Sequence, residues 1–332
     1  MESSDKANSH EANSHERVLV TGGVGFIGYH VCRALLSRGD PVTVVDDFSD
    51  APYPRSCKER NAADLRAEFP AIRVLTACVT DRAAMEGAMG DARAVIHLAG
   101  LAGVRPSFAE PARYAQVNVE GCATVYELAR KAGVSRFAFA SSSSVYGNST
   151  PLPAQETAPA ITPESPYAAS KRAAELVVET LSRQAPFMPC AALRFFTVYG
   201  PRQRPEMAIT LFTRAVLAGR SITLFGDGSM RRDFTHVADI VRGVLAALDR
   251  APSGFRAYNL GSGAPIDLDA LIALVGRTTG KTPTVERAPV PRGDVDATFA
   301  DVTRAATELD WRPHIPLDEG LRDVVDWVRA NP

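Results

Sequence analysis

The sequence predicts an open α/β fold, a mostly parallel, doubly wound sheet with helices on both faces and a smaller C-terminal α/β lobe. Three observations carry that expectation. Short apolar runs at 17–21, 41–45, 73–76, 94–98 and 136–140 alternate with helix-like stretches at about 26–38, 82–89 and 111–131, the pattern of parallel strands joined by helical crossovers. Between the first strand and the first helix stands Gly22-Gly23-Val24-Gly25-Phe26-Ile27-Gly28, with a glycine at every third position from Gly22. After the strand at 190–196 the alternation loosens, so a second unit of different construction is expected from about residue 197.

The glycine segment has a physical reason to be built this way. A tight strand-to-helix turn, close approach of backbone to a pyrophosphate and close packing of helix on strand all require missing side chains, and the helix N-terminus turns partial positive charge toward the phosphates. The segment therefore reads as a Rossmann-type dinucleotide site formed by Gly22, Gly25, Phe26, Ile27 and Gly28. The second strand ends in Asp46-Asp47 at about the spacing of a ribose-binding acid. Asp46 is expected to accept the ribose hydroxyls and to repel a 2′-phosphate, which favours NAD over NADP.

Composition narrows the remaining possibilities. The chain has 332 residues, enough for one large domain or two closely packed ones, and its net charge of −1 provides no bulk field for nucleic acid or an anionic membrane. Five cysteines, an odd number without C-x-x-C spacing, suggest free thiols, no metal site and a cytoplasmic setting. No apolar run reaches membrane-spanning length. Residues 1–16 repeat Ala-Asn-Ser-His-Glu and are expected to be a disordered tail despite His10 and His15. The expected division is then 17–196 for the dinucleotide domain and 197–330 for the smaller lobe, with a segment near 234–261 returning to the first.

The stretch 141–171 carries the chemistry. It opens Ser141-Ser142-Ser143-Ser144-Val145-Tyr146-Gly147 and closes Tyr167-Ala168-Ala169-Ser170-Lys171. Pro166 suits the first turn of a helix over 167–183, which puts Tyr167 and Lys171 on one face. A phenol titrates near pH ~10, and a nearby ammonium lowers that toward working pH, making Tyr167 a usable acid or base. Ser142 is expected to hydrogen bond the same substrate oxygen. Together with the glycine turn, these residues resemble the extended short-chain dehydrogenase/reductase superfamily. That resemblance implies a loop beneath the cofactor at His97-Leu98-Ala99-Gly100, with Leu98 at the cofactor and Gly100 replacing the commoner Ala. It also implies that Asn118 ties the active-site helix to a neighbouring strand. Cys78 falls where the superfamily usually carries an adenine-contacting Asp.

Four further segments sharpen the resemblance: Gly103-Val104-Arg105-Pro106-Ser107, the four serines, Phe195-Phe196-Thr197 with Gly200-Pro201-Arg202-Gln203-Arg204-Pro205, and Arg231-Arg232-Asp233-Phe234-Thr235. From Arg17 onward the chain is similar to the UDP-glucuronate 4-epimerase family. The resemblance implies tightly held NAD and a UDP-sugar substrate. Ser143, Ser144 and Thr197 would donate hydrogen bonds to the sugar carboxylate, with Arg105 and Arg204 adding positive charge. Phe225 would pack on uracil, Arg232 would hold the diphosphate and Asp294 the ribose. It further implies a homodimer through a four-helix bundle of the helices at 111–131 and 167–183. Decarboxylation or dehydration of a nucleotide sugar, 4-epimerisation of a neutral sugar, and a non-catalytic dinucleotide-binding regulator remain open alternatives.

Overall fold

The computed structural model describes residues 17–50, 52–184, 187–290, 293 and 295–331. The tail at 1–16 and Asp294, both given expectations above, lie outside the described residues. The chain first alternates β1 (Val18–Thr21), α1 (Phe26–Arg38), β2 (Val42–Asp46), α2 (Arg55–Glu68), β3 (Arg73–Thr76), α3 (Arg82–Met89) and β4 (Ala94–His97). Next come α4 (Val104–Ala109), α5 (Pro111–Ala115), a π-helical turn at Gln116–Glu120, α6 (Gly121–Lys131), β5 (Arg136–Ser142), α7 (Pro166–Ser182) and β6 (Pro189–Phe195). Then follow β7 (Thr197–Tyr199), α8 (Ala208–Leu217), β8 (Ile222–Phe225), β9 (Arg231–Arg232), β10 (Phe234–His236), α9 (Val237–Arg250) and β11 (Gly254–Leu260). The last elements are β12 (Ile266–Asp267), α10 (Leu268–Thr279), β13 (Val285–Ala288), α11 (Thr303–Glu308) and α12 (Leu317–Ala330).

Seven strands form one parallel sheet in the order β3-β2-β1-β4-β5-β6-β11. Side chains alternate between its faces, and both faces are covered, so the central strands are apolar throughout. Val18, Val20 and Ala138 join the core beneath α1 and α9, whereas Leu19, Phe137 and Phe139 join the opposite core with residues of α3, α6 and α7. The strand order reverses between β1 and β4. A crevice opens there at the C-terminal ends of the strands, where folds of this kind bind ligands. The smaller core gathers Ile209 and Phe212 of α8, Leu271 and Val275 of α10, and Leu321 and Val324 of α12. Three two-stranded pairs, β7–β10, β8–β13 and β9–β12, accompany the main sheet.

Two elements differ from the sequence expectation. The helix expected over 111–131 is interrupted by the π turn, which buries Asn118. The wider i→i+5 spacing adds a residue to one turn, a local change that apolar periodicity does not register. The second element, α2, was absent from the sequence reading. Its inward face carries Lys58 and Asn61 beside Ala62 and Leu65, so polar residues break the apolar stripe that would announce a helix.

A buried ion pair joins the elements around the crevice. Glu175 of α7 and Arg194 of β6 are only 0% and 2% exposed. Arg194 donates from Nε to Glu175 Oε1 at 2.9 Å and from Nη2 to Oε2 at 2.8 Å. Ser141 Oγ and Arg172 Nη1 donate to the same carboxylate at 2.5 and 2.9 Å. Burial by itself would raise the Glu175 carboxyl pKa, but these hydrogen bonds outweigh it and hold the group below the usual carboxylate range. Arg194 Nη1 also donates to the Tyr146 hydroxyl at 2.9 Å, and Tyr146 donates to Asn259 Oδ1 at 2.6 Å on β11. Glu175→Ala leaves the guanidinium buried without its partner and should cost about 3–5 kcal/mol of unfolding free energy in urea. A loss below about 1 kcal/mol, the size of a surface pair, would contradict this role.

Candidate active site

A cavity of about 770 Å³ lies at the crevice. Every residue expected from the sequence to touch cofactor or substrate, Asp294 excepted, lines it. At one end is the glycine turn. Gly22 has φ +69°, and a Cβ added there would fall 2.6 Å from Ala99 N. A Cβ at Gly28 would lie 2.0 Å from the Gly22 carbonyl oxygen. Side chains are thus excluded where backbone must approach backbone, and α1 starts at Phe26 with no side chain capping its N-terminus. Asp46 ends β2, 5% exposed, with Oδ1 accepting from Phe48 N at 3.0 Å. Burial raises its carboxyl pKa; the Lys58 ammonium, 3.8 Å from Oδ1, and the Phe48 amide oppose that rise only in part. These residues fit a dinucleotide with a free ribose hydroxyl. Lys58 and Tyr53 also line this end and escaped sequence reasoning because neither belongs to a recognisable motif. Cys78 lines it too, with Sγ 3.1 Å from Thr80 Oγ1.

The central groups come from α7 and the end of β5. Ser165 caps α7 by accepting from Ala168 N at 3.2 Å, and Pro166 occupies its first turn. Lys171 Nζ donates to the Ala140 carbonyl at 3.0 Å. Burial pushes its pKa down to about 8. The Tyr167 hydroxyl is pushed up by burial, while hydrogen bonding with Ser142 and the positive field of Arg204 act the other way. The net direction is upward, where the sequence expectation was a lowering by the nearby ammonium, because burial outweighs the opposing contacts. Asn118 fixes the helix relative to the loop after β4. Its Oδ1 accepts from Leu101 N at 2.8 Å, and its Nδ2 donates to Leu101 O and Ser170 Oγ, each at 2.9 Å. Gly100 makes room for this arrangement, because a Cβ there would meet Asn118 Oδ1 at 2.9 Å and Lys171 Nζ at 3.0 Å.

At the other end, Ser143 and Ser144 open a 3₁₀ turn directly after Ser142. Thr197 starts β7, its amide donating to the Asp233 carbonyl at 3.0 Å. Arg204 pairs with Glu206 at 3.3 Å and reaches Met207 Sδ at 3.2 Å. Arg105, expected near the sugar carboxylate, places its guanidinium 4.4 Å from the centroid of the Phe225 ring, the surface expected to carry uracil. Arg232 donates from Nη1 to the Arg231 and Asp296 carbonyls at 3.0 and 3.2 Å.

Comparison with known proteins agrees with this geometry. The NAD dependent epimerase/dehydratase family matches residues 18–261. A UDP-glucuronate 4-epimerase of Thermodesulfobacterium geofontis (strain OPF15) is 37% identical over 94% of this chain and 96% of its own length. Among solved structures, UDP-glucuronic acid 4-epimerase from Bacillus cereus, in complex with UDP-glucuronic acid and NAD, has a TM-score of 0.88 and 30% identity, covering 95% of this chain and 100% of that one. MoeE5 in complex with UDP-glucuronic acid and NAD has a TM-score of 0.85 and 34% identity, with the same coverage of both chains. The chain belongs to the NAD dependent epimerase/dehydratase family.

Proposed function

We propose that this protein is an NAD-dependent UDP-glucuronate 4-epimerase, an isomerase that interconverts UDP-glucuronate and UDP-galacturonate by oxidation at C4, turning of the 4-keto sugar and re-reduction. The observation that carries this reading is one cavity shared by the glycine turn, the Ser142–Tyr167–Lys171 group and the neutral hydroxyls of Ser143, Ser144 and Thr197. Gly22, Gly25, Phe26, Ile27, Gly28, Asp46 and Leu98 hold the dinucleotide. When bound, it supplies a reversible two-electron acceptor at C4. Tyr167 removes the proton of the 4-hydroxyl and later returns one; Ser142 holds that oxygen, and Arg204 and Lys171 favour the phenolate. A 4-keto glucuronate is a β-keto acid and loses CO2 when its carboxylate stands perpendicular to the ketone. Ser143, Ser144 and Thr197 donate to that carboxylate and hold it out of such alignment. Phe225, Arg105, Arg232 and Asp294 serve the UDP end.

We also read the enzyme as a cytoplasmic homodimer joined by α5–α6 and α7 of each copy as a four-helix bundle. Five free cysteines and Leu176, 49% exposed on α7, support that reading. No helix among the described residues is long and apolar enough to cross a membrane.

Incubation of the purified protein with UDP-glucuronate and no added reductant, followed by proton NMR, tests the reaction. UDP-galacturonate should appear, Tyr167→Phe should slow it by about 10²–10⁴-fold, and Thr197→Val should raise the share of UDP-pentose. A UDP-pentose as the parent enzyme's main product would assign it as a decarboxylase instead.

Lys171 gives a separate pH prediction. Its folded pKa of about 8 lies below the ordinary 10.5, so between these values the unfolded chain binds more protons than the folded one. Through this group, unfolding free energy rises with pH across that window. In dinucleotide-free protein, Lys171→Met should be stabilising below pH 8, and its advantage over the parent should shrink as pH climbs from 8 to 10.5. A difference in urea unfolding that does not vary with pH would refute the assignment.

A further inference from the structure

The loop after β7 is fastened to the dinucleotide half by a residue that the proposed chemistry does not use. Arg202 has φ +67°, a left-handed conformation that a non-glycine residue keeps when its surroundings over-determine it. Its guanidinium lies 4.0 Å from the centroid of the Tyr29 ring on α1. It donates from Nη1 to Asn61 Oδ1 at 2.6 Å and from Nη2 to Asp64 Oδ2 at 2.5 Å, both on α2. His30, next to Tyr29, donates from Nε2 to the Pro201 carbonyl at 2.9 Å. Asn61 is itself a bridge, for its Nδ2 donates to the Val24 carbonyl at 2.9 Å inside the glycine turn. Two residues beyond Arg202, Arg204 enters the cavity and acts on Tyr167.

We propose that Arg202 and Asn61 are positioning residues that join the dinucleotide turn to the substrate loop, so that a nicotinamide dinucleotide and a uridine diphosphate bind cooperatively. A pyrophosphate settled on the turn fixes Val24, and Val24 fixes the amide of Asn61. The other end of that amide holds Arg202, and with it the loop leading to Arg204 and α8. The ordering is then done once and serves both ligands. The inference rests on the proposed reading only in taking UDP as the second ligand.

Titration calorimetry on the full chain, stripped of dinucleotide, tests this with NAD and UDP as probes. UDP lacks the sugar that would meet the nicotinamide. In the parent protein each ligand should tighten the other by about five-fold or more. Arg202→Gln should bring that factor close to one. So should Asn61→Asp, which keeps the acceptor for Arg202 and loses the donor to Val24, cutting the link while the loop stays docked. A merely structural role would weaken both affinities alike and leave the factor unchanged; that outcome, or no mutual effect in the parent protein, overturns the proposal. Mutual tightening without turnover of UDP-glucuronate would refute the epimerase reading and leave the link standing.

Discussion

The Glu175–Arg194 pair is the constraint on which the site depends. Tyr167, Lys171 and Glu175 follow one another at intervals of four along α7, so one helix face carries both the phenol proposed to react and the clamp. Ser141 also binds that clamp, and the next residue is Ser142. The pair therefore sets α7, β5 and β6 against one another through a single carboxylate, and Tyr146 extends the network to Asn259 on β11. Removing two charges from water costs several kcal/mol per ion, which good geometry and further hydrogen bonds can offset. Here each carboxylate oxygen accepts two hydrogen bonds. The result is a fixed separation between the groups assigned to a single substrate oxygen.

The electrostatics of the cavity follow from the same burial. His97 is driven to about 3 and is neutral, whereas Lys171, lowered only to about 8, keeps its positive charge below that pH. His97 stays a neutral partner of Thr21, 2.7 Å away, and the Thr21 hydroxyl accepts from Ala99 N at 3.3 Å. Further positive charge comes from Arg204 on the loop after β7 and from Arg105 on α4, both lining the cavity. At the opposite end of the cavity Lys58 on α2 lies 3.8 Å from Asp46 and 3.6 Å from Asp47. A neutral hydroxyl lining beside these cations suits the anionic sugar of the proposed reaction.

Much of this was legible in the sequence because each part had a local reason. The glycine turn announces itself by spacing, and the structure shows the contacts that forbid a Cβ. The strands were legible as apolar runs because both sheet faces are buried. Tyr167 and Lys171 were legible because Pro166 marks where their helix begins. The illegible parts depend on distant partners. Nothing around Glu175 or Arg194 reveals that they meet across nineteen positions of chain. The π turn at Asn118 is set by Leu101 and Ser170, and α2 hides behind the polar residues that it buries. Arg105 stacks on a ring of the other lobe, a pairing that neither local sequence contains.

Oxidation and re-reduction at C4 within one cavity would move a single hydrogen to the dinucleotide and back without exchange with water. UDP-glucuronate carrying deuterium at C4, turned over in ordinary water, measures this most directly. UDP-galacturonate should keep the deuterium at C4. Release of the label to solvent at the rate of product formation would contradict it.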